Sequence, residues 1–160
     1  MSTVKLHPVK SDAKSRTKYP LDVYEKMYQE SIDNPEAFWA EQGKRIDWIK
    51  PYTQVKNTSF NSQGLNIEWY KDGVLNASVN CLDRHLKTRA DQTAIIFEGD
   101  DPSVSKHISY QDLYEETCKF ANVLKSKAVK RGDRVCIYLP MIPELAIAVL
   151  ACARIGAIHS

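Results

Sequence analysis

The chain has 160 residues, of which 43% are hydrophobic, so it is long enough and apolar enough to bury a core. Its 22 basic and 20 acidic side chains leave a formal net charge of +2, which is too balanced to predict a nucleic-acid surface. The longest apolar run, residues 145–153, is half of the about 20 residues that a membrane-spanning helix needs, so we expect no membrane partner.

The four cysteines stand too far apart to form a C-x-x-C metal or redox motif; they are Cys81, Cys118, Cys136 and Cys152. Most of them lie within apolar helical or strand patterns, which predicts reduced core thiols in a cytoplasmic protein rather than disulfides. The basic N-terminus lacks the apolar segment of a secretory signal, and Asp12 and the prolines do not suit the amphipathic helix of a transit peptide.

Residues 1–18 are rich in basic side chains and poor in large aliphatic ones, so we expect a mobile arm there. Apolar side chains then recur at helical spacing over residues 20–32, which predicts an amphipathic helix. Asn34 and Pro35 provide an N-cap and a first helical residue for a second helix. The aromatic residues that follow predict a surface that clamps onto a larger body; they are Phe38, Trp39 and Trp48.

The stretch from residue 53 to residue 63 is polar and aperiodic, so we predict a loop, followed by a short strand at residues 67–70. Trp69 and Tyr70 of this strand also allow a carbohydrate-binding platform as an alternative. A helix capped by Ser78 or Asn80 is expected to run to about Arg89. Its predicted apolar face consists of Cys81, Leu82, His85 and Leu86.

Two carboxylate motifs are better explained by local structure than by chemistry. Asp83 and His85 are two residues apart on the expected helix and therefore point in different directions, so we expect Asp83 to face outward or to pair locally. Asp100 and Asp101 follow the predicted strand at residues 93–98 and precede a second strand near residues 106–108, which is a hairpin pattern. A metal site at these aspartates is the alternative to a solvated turn.

Ser109 begins a further helix, because Asp112 stands where a capping box requires an acidic partner. A stripe of buried positions at helical spacing is predicted at Leu113, Thr117, Phe120, Ala121 and Leu124. The basic residues at the end of this helix either contact a phosphate or form a solvated helix end; they are Lys127, Lys130 and Arg131.

The last part of the chain predicts a buried strand at residues 134–139, a helix at residues 143–155 and the start of another strand at residues 157–158. Pro143 suits the first turn of the helix, and Gly156 suits the left-handed residue that ends it. Because the helix is apolar on nearly every side, it needs cover on both faces. Strands that alternate with helices indicate an α/β domain with a parallel sheet.

Several segments resemble the N-terminal region of the AMP-forming acetyl-CoA synthetase family, within the adenylate-forming enzymes. The main ones are residues 80–85 (NCLDRH), 132–135 (GDRV), 137–141 (IYLPM), 143–144 (PE) and 151–160 (ACARIGAIHS). The resemblance begins near Tyr19 and includes the aromatic segments described above. The family usually has glycine where Ala128 stands, so the end of the preceding helix is expected to differ here.

This resemblance implies an α/β fold in which residues 19–78 form an N-terminal helical and aromatic extension. Residues 79–160 would then be the first strands and helices of the large adenylate-forming-enzyme domain, which is incomplete in this chain. The parent protein would be an acetate–CoA ligase that uses ATP, Mg²⁺ and coenzyme A to convert acetate through an acetyl-adenylate. A ligase for propionate or another short acyl group remains an alternative.

The residues themselves predict no catalytic, cofactor-binding or metal-binding position. The six glycines are too far apart to form a phosphate loop, and no two histidines and no two cysteines stand three or four residues apart, as metal ligands on a helix would. We therefore expect the chain alone to act as an inactive scaffold, and the resemblance implies that the ligand sites of the parent enzyme lie beyond Ser160. A non-catalytic interaction module that binds through the aromatic surface is the alternative from another functional class.

Overall fold

The computed structural model describes residues 7–160, which form two compact units. One unit contains the residues up to Arg45 together with Gln54–Lys71, and the other contains Ile46–Thr53 together with Asp72–Ser160. The predicted arm lies partly outside the described residues. Its described part includes a short exposed helix, α1 (Ser11–Arg16), which the sequence reasoning did not anticipate.

In the first unit, the two expected helices are present as α2 (Leu21–Asp33) and α3 (Pro35–Gly43), with Pro35 in the first turn of α3 as predicted. The prediction that the Asn34 side chain caps α3 is wrong, because that side chain makes no capping hydrogen bond. Asn34 is the single residue between the two helices, and its N–H donates to the Glu30 carbonyl at the end of α2. Its φ and ψ angles of −138° and 65° lie away from the extended values of an N-cap.

The predicted loop at residues 53–63 is instead mostly strand β1 (Gln54–Asn61), which pairs antiparallel with β2 (Gly64–Lys71). Thr53 and the two-residue turn are the only parts outside the strands. The sequence showed no alternation here because burial in β1 does not alternate: Val55 is buried, whereas Phe60, opposite Leu65, is 77% exposed. Backbone pairing with β2, rather than burial of one face, makes this segment a strand.

The second unit begins with a π-helical turn (Val79–Asp83) that continues into α4 (Arg84–Arg89). Leu82 is buried as expected, with 1% of its surface exposed, but Cys81 is exposed, so its place in the predicted apolar face is wrong. A π-helical turn has more residues per turn than an α-helix, so the side-chain directions depart from the 3.6-residue period assumed for the prediction.

A hairpin and a long helix follow as predicted. Strands β3 (Thr93–Glu98) and β4 (Ser105–Ser109) pair antiparallel, with a register shift between Thr93 and Ile95. Helix α5 (Tyr110–Ser126) has the expected capping box, in which Ser109 and Asp112 exchange hydrogen bonds. Its buried stripe is confirmed at Leu113, Thr117, Ala121 and Leu124, with Phe120 partly buried beside it.

The parallel α/β arrangement at the end of the chain is also confirmed. Strand β5 (Arg134–Val135) leads to helix α6 (Pro143–Ile155), and β6 (Ile158–His159) then pairs parallel with β5. The hydrophobic core of this part lies between α5 and α6. It contains Ala121 and Leu124 from α5, Ala151 and Cys152 from α6, and Ala157.

Two predictions about burial in this part are wrong. Regular pairing covers only Arg134–Val135 of the expected strand at residues 134–139, and Tyr138 is 99% exposed. The pairing is short because β6 offers two residues to it. All four cysteines are free, but only Cys152 is a core thiol. Cys81 and Cys136 are exposed, and Cys118 is partly exposed. Burial raises the pKa of the Cys152 thiol.

Within residues 7–160, every helix is too short or too polar to cross a lipid bilayer.

Helix α5 ends in a turn whose left-handed residue is Ala128. The N–H of Val129 donates to the Leu124 carbonyl (3.1 Å) and the N–H of Ala128 donates to the Lys125 carbonyl (2.9 Å), which together form a Schellman motif. Ala128 has a φ of +66°, where a Cβ atom crowds the backbone. Glycine, which lacks Cβ, normally occupies this position.

We predict that Ala128→Gly raises the free energy of unfolding of the full-length protein by about 0.5–1 kcal/mol, because relief of the left-handed strain exceeds the added entropy of the unfolded chain. Gly156→Ala should lower it by about 1 kcal/mol or more. Gly156 occupies the matching position after α6 with a φ of +74°, and an added Cβ would lie 3.0 Å from Cγ of Arg131. Urea unfolding of both variants measures the two effects. If both substitutions changed the free energy of unfolding by the same amount and in the same direction, the inferred backbone strain at Ala128 would be contradicted.

The 160-residue chain made on its own exposes a contiguous apolar surface beside α6. An open groove of about 500 Å³ there is lined largely by apolar side chains, mainly Phe120, Val123, Leu139, Ile147 and Ala148. Because exposed patches of this kind mark interfaces or aggregation sites, we predict oligomers by light scattering and strong binding of a hydrophobic dye. A compact monomer with a sharp melting transition and no dye binding would show that this surface needs no cover.

Candidate functional site

The most highly organised polar site in the second unit lies at the end of helix α6. The last carbonyl groups of a helix have no partners within the helix and need them elsewhere. Here the N–H groups of Ala157 and Gly156 donate to the carbonyls of Cys152 (2.9 Å) and Ala153 (3.2 Å), again in a Schellman motif. The carbonyl of Arg154 is outside this motif and needs a different donor.

The side chain of Asn76 supplies that donor. Its Nδ2 atom lies 3.0 Å from the Arg154 carbonyl oxygen and 3.3 Å from that of Ala153. Its Oδ1 atom accepts a hydrogen bond from the N–H of Val79 at 3.2 Å, at the start of the π-helical turn. One amide therefore caps the end of one helix and the beginning of another.

This contact corrects the predicted cap of the π-helical turn. Ser78 is fully buried and its hydroxyl makes no capping hydrogen bond, and Asn80 lies inside the turn. The Asn80 side chain instead pairs with the backbone of Asp47, which donates to Oδ1 at 2.8 Å and accepts from Nδ2 at 3.0 Å. Asn76 has the spacing of an N-cap to Val79, three residues later, so the sequence did contain a signal for it.

Arg154 forms a second connection to the same turn through its side chain. Its two terminal nitrogens donate to the two carboxylate oxygens of Asp83 at 2.8 and 2.7 Å, across 71 residues of sequence. The guanidinium also lies over the ring of Tyr114 on α5, 5.0 Å from the ring centre. Both charged side chains are less than one-third exposed, which reduces the solvent screening of the pair.

The ion pair changes the pKa of both partners. The hydrogen bonds from Arg154 lower the pKa of the Asp83 carboxyl, and those same bonds raise the pKa of Arg154. The expectation that Asp83 faces outward or pairs locally is therefore wrong. We call Asn76, Asp83, Arg154 and Gly156 the α6 joint.

The other candidate residues from the sequence do not form a site together. The ring of His85 packs near that of Tyr110, with centres 5.6 Å apart. The carboxylate of Asp101 accepts hydrogen bonds from the N–H and hydroxyl of Ser103, which lower its pKa and close a turn. No group of three His, Cys, Asp or Glu side chains within residues 7–160 is placed to hold a metal ion. The basic side chains after α5 are exposed; they are Lys127, Lys130 and Arg131.

The first unit carries an aromatic groove of about 520 Å³. Arg45 donates a hydrogen bond to the hydroxyl of Tyr19 at its rim (2.8 Å), which lowers the pKa of that tyrosine. Trp39 packs edge-on against Trp69 of β2, and the Tyr70 hydroxyl donates to the Trp39 carbonyl (2.9 Å). These contacts join α3 to the hairpin, and they leave Trp69 40% exposed.

Removal of the Asp83 charge should destabilise the protein at neutral pH. Because the pKa of Asp83 is lowered in the folded state, its charge stabilises the fold above the ordinary pKa of about 4 and ceases to do so as the pH falls through the lowered value. We predict that Asp83→Asn costs about 2 kcal/mol of unfolding free energy at pH 7. The difference from the unsubstituted protein should shrink below about pH 4.

Urea unfolding of the full-length protein over this pH range measures the effect, with Asp100→Asn in the exposed β3–β4 turn as the matched control. The control should change stability by less than about 0.5 kcal/mol at any pH. A cost for Asp83→Asn that stays constant at low pH would contradict an ionic role.

Two family models match consecutive parts of the chain. The model for the acetyl-coenzyme A synthetase N-terminus matches residues 24–81, and the model for AMP-binding enzymes matches residues 82–160. In space, the acetoacetyl-CoA synthetase from Streptomyces lividans is similar over 94% of this chain and 23% of its own, with a TM-score of 0.74 and 25% identity. This likeness supports the α/β fold described above.

Curated relatives match along the entire chain. The acetyl-coenzyme A synthetases of Marinobacter nauticus and Vibrio cholerae are 61% and 55% identical to it over all 160 residues. The chain spans only 25% of the length of each of these proteins. The two family models together account for residues 24–160, so the chain is similar along most of its length to AMP-binding enzymes, and to acetyl-coenzyme A synthetases in particular.

Proposed function

We propose that this chain is the N-terminal part of an AMP-forming acetate–CoA ligase. The full-length protein would form acetyl-adenylate from acetate and ATP and transfer the acetyl group to coenzyme A, with Mg²⁺ as cofactor, in the cytoplasm. The observation that carries the proposal is the 61% identity to an acetyl-coenzyme A synthetase along the whole chain. Identity at this level over every element favours a shared activity over a shared fold alone.

The described residues do not fit the phosphates of ATP or a magnesium ion. A phosphate site needs several backbone N–H groups that converge on one point, usually in a glycine-rich loop. Gly132 and Gly156 are instead used in turns, and the N–H of Gly132 donates to the Gly156 carbonyl (2.9 Å). We therefore derive no step of the reaction from these residues. The proposal assigns the nucleotide, acetate and coenzyme A sites to the protein beyond Ser160.

The role left for this chain is structural support. Helix α6 packs on α5 through a buried core, and its end is attached to the π-helical turn by the α6 joint. These contacts hold β6 beside β5 at the start of a parallel sheet. In open parallel sheets ligands bind at the carboxyl ends of the strands, so a rigid first pair of strands supports a site that later strands complete.

Expression of the full open reading frame tests the proposal. We predict that pyrophosphate release requires acetate, that AMP release and continued turnover require both acetate and coenzyme A, and that propionate is used less efficiently. A greater kcat/KM with propionate than with acetate would show that the enzyme is a propionate–CoA ligase. Absence of acyl-dependent AMP formation in a folded, full-length protein would overturn the ligase and favour an interaction module.

The 160-residue chain serves as the control in the same experiment. Because its six glycines are too far apart in sequence to form a glycine-rich phosphate loop, titration with Mg-ATP should give no saturable heat at millimolar concentration. A specific micromolar affinity would show that part of the nucleotide site lies within this chain.

A further inference from the structure

Only two residues separate the last turn of α6 from strand β6, so the position of one determines that of the other. Gly156 ends the helix, and its carbonyl accepts a hydrogen bond from the N–H of Gly132. The N–H of Ile158 then donates to the Asp133 carbonyl at 2.8 Å, and the N–H of Ser160 donates to the Val135 carbonyl at 3.1 Å. The position of the last turn of α6 therefore determines the register in which β6 pairs with β5.

The end of α6 is itself attached to a distant part of the chain through its backbone. The Schellman motif uses the carbonyls of Cys152 and Ala153, and the Asn76 amide binds those of Ala153 and Arg154. The Arg154 side chain holds Asp83, but a side chain can change rotamer while the helix moves. The Asn76 amide contacts the main chain directly, so the last turn cannot shift without breaking these hydrogen bonds.

We propose that Asn76 is a positioning residue for the ligand site at the carboxyl edge of the β5–β6 pair. It acts through the last turn of α6, which it holds by its Nδ2 atom, and so fixes how far β6 extends along β5. This inference rests on the proposed ligase function. It adds a specific residue to that function, 84 positions before Ser160.

The two ends of the Asn76 amide can be tested separately. Oδ1 accepts from Val79, as the side-chain oxygen of Ser or Asp does at an N-cap, whereas the donation to the α6 carbonyls requires the N–H₂ group. Asn76→Ser therefore retains a capping oxygen but loses the N–H₂ group, and its single shorter hydroxyl cannot replace the separate donor and acceptor of the amide. Asn76→Asp retains the cap but also places a carboxylate against the negative end of the α6 dipole.

Kinetics of the full-length ligase provide the main test, with Ser109→Ala as the control. This control removes the N-cap of α5, which costs stability without contact to α6 or β6. If Asn76 positions β6, Asn76→Ser should lower kcat/KM on the order of tenfold and Asn76→Asp by at least as much, because small displacements of a site are costly. The control should stay within about twofold of the unsubstituted enzyme.

Amide hydrogen exchange gives a readout that does not depend on activity. The amides of Gly132, Ile137, Ile158 and Ser160 donate across the β5–β6 pair, and they should exchange faster in Asn76→Ser but not in Ser109→Ala. Faster exchange with unchanged kcat/KM would overturn the positioning role, as would equal kinetic losses in Asn76→Ser and Ser109→Ala. If the unsubstituted protein has no ligase activity, the proposed function fails. Whatever the activity, unchanged amide exchange in Asn76→Ser would show that Asn76 does not fix the position of β6.

Discussion

The hydrogen bonds at the end of helix α6 are the constraint on which the second unit depends. A helix that is apolar on most sides gains stability by packing, but its last carbonyl groups remain polar and need partners wherever the helix is placed. Asn76 provides the donor for the carbonyl of Arg154, and the Arg154 side chain pairs with Asp83. The same few contacts therefore satisfy the helix end and determine which part of the chain lies next to it.

This joint also explains why the π-helical turn and α4 stay attached to the parallel strands, although they share no sheet. The Asn76 oxygen begins the turn, its nitrogen holds α6, and Asp83 at the end of the turn holds Arg154. Tyr114 of α5 covers the guanidinium from one side. Three helical elements thus meet at one arginine, with limited solvent access to screen the ion pair.

The polar contacts of the second unit serve to support the fold. The polar side chains of the α6 joint are used to join helices, and the two left-handed glycines of the second unit are used in turns. The chain matches acetyl-coenzyme A synthetases along its length but covers a quarter of theirs. In the proposed ligase, a rigid first segment would support the strands that later complete a ligand site.

Local signals in the sequence were sufficient for most element boundaries and for the family. The capping box at Ser109, the proline and glycine at the two ends of α6, and the β3–β4 hairpin depend on residues close in sequence, so their pattern is visible before folding. The resemblance to acetyl-coenzyme A synthetases is inferred from motifs along the chain and needs no coordinates.

Contacts between distant residues were decided only by the tertiary structure. β1 forms a strand because β2 pairs with it, and its polar sequence carries no alternation from which to predict this. Asp83 pairs with Arg154, which lies 71 residues later in the sequence. The Asn76 amide nitrogen binds backbone carbonyl groups, which every residue possesses. A backbone carbonyl has no sequence signature, so only packing could reveal which of them a side chain would bind.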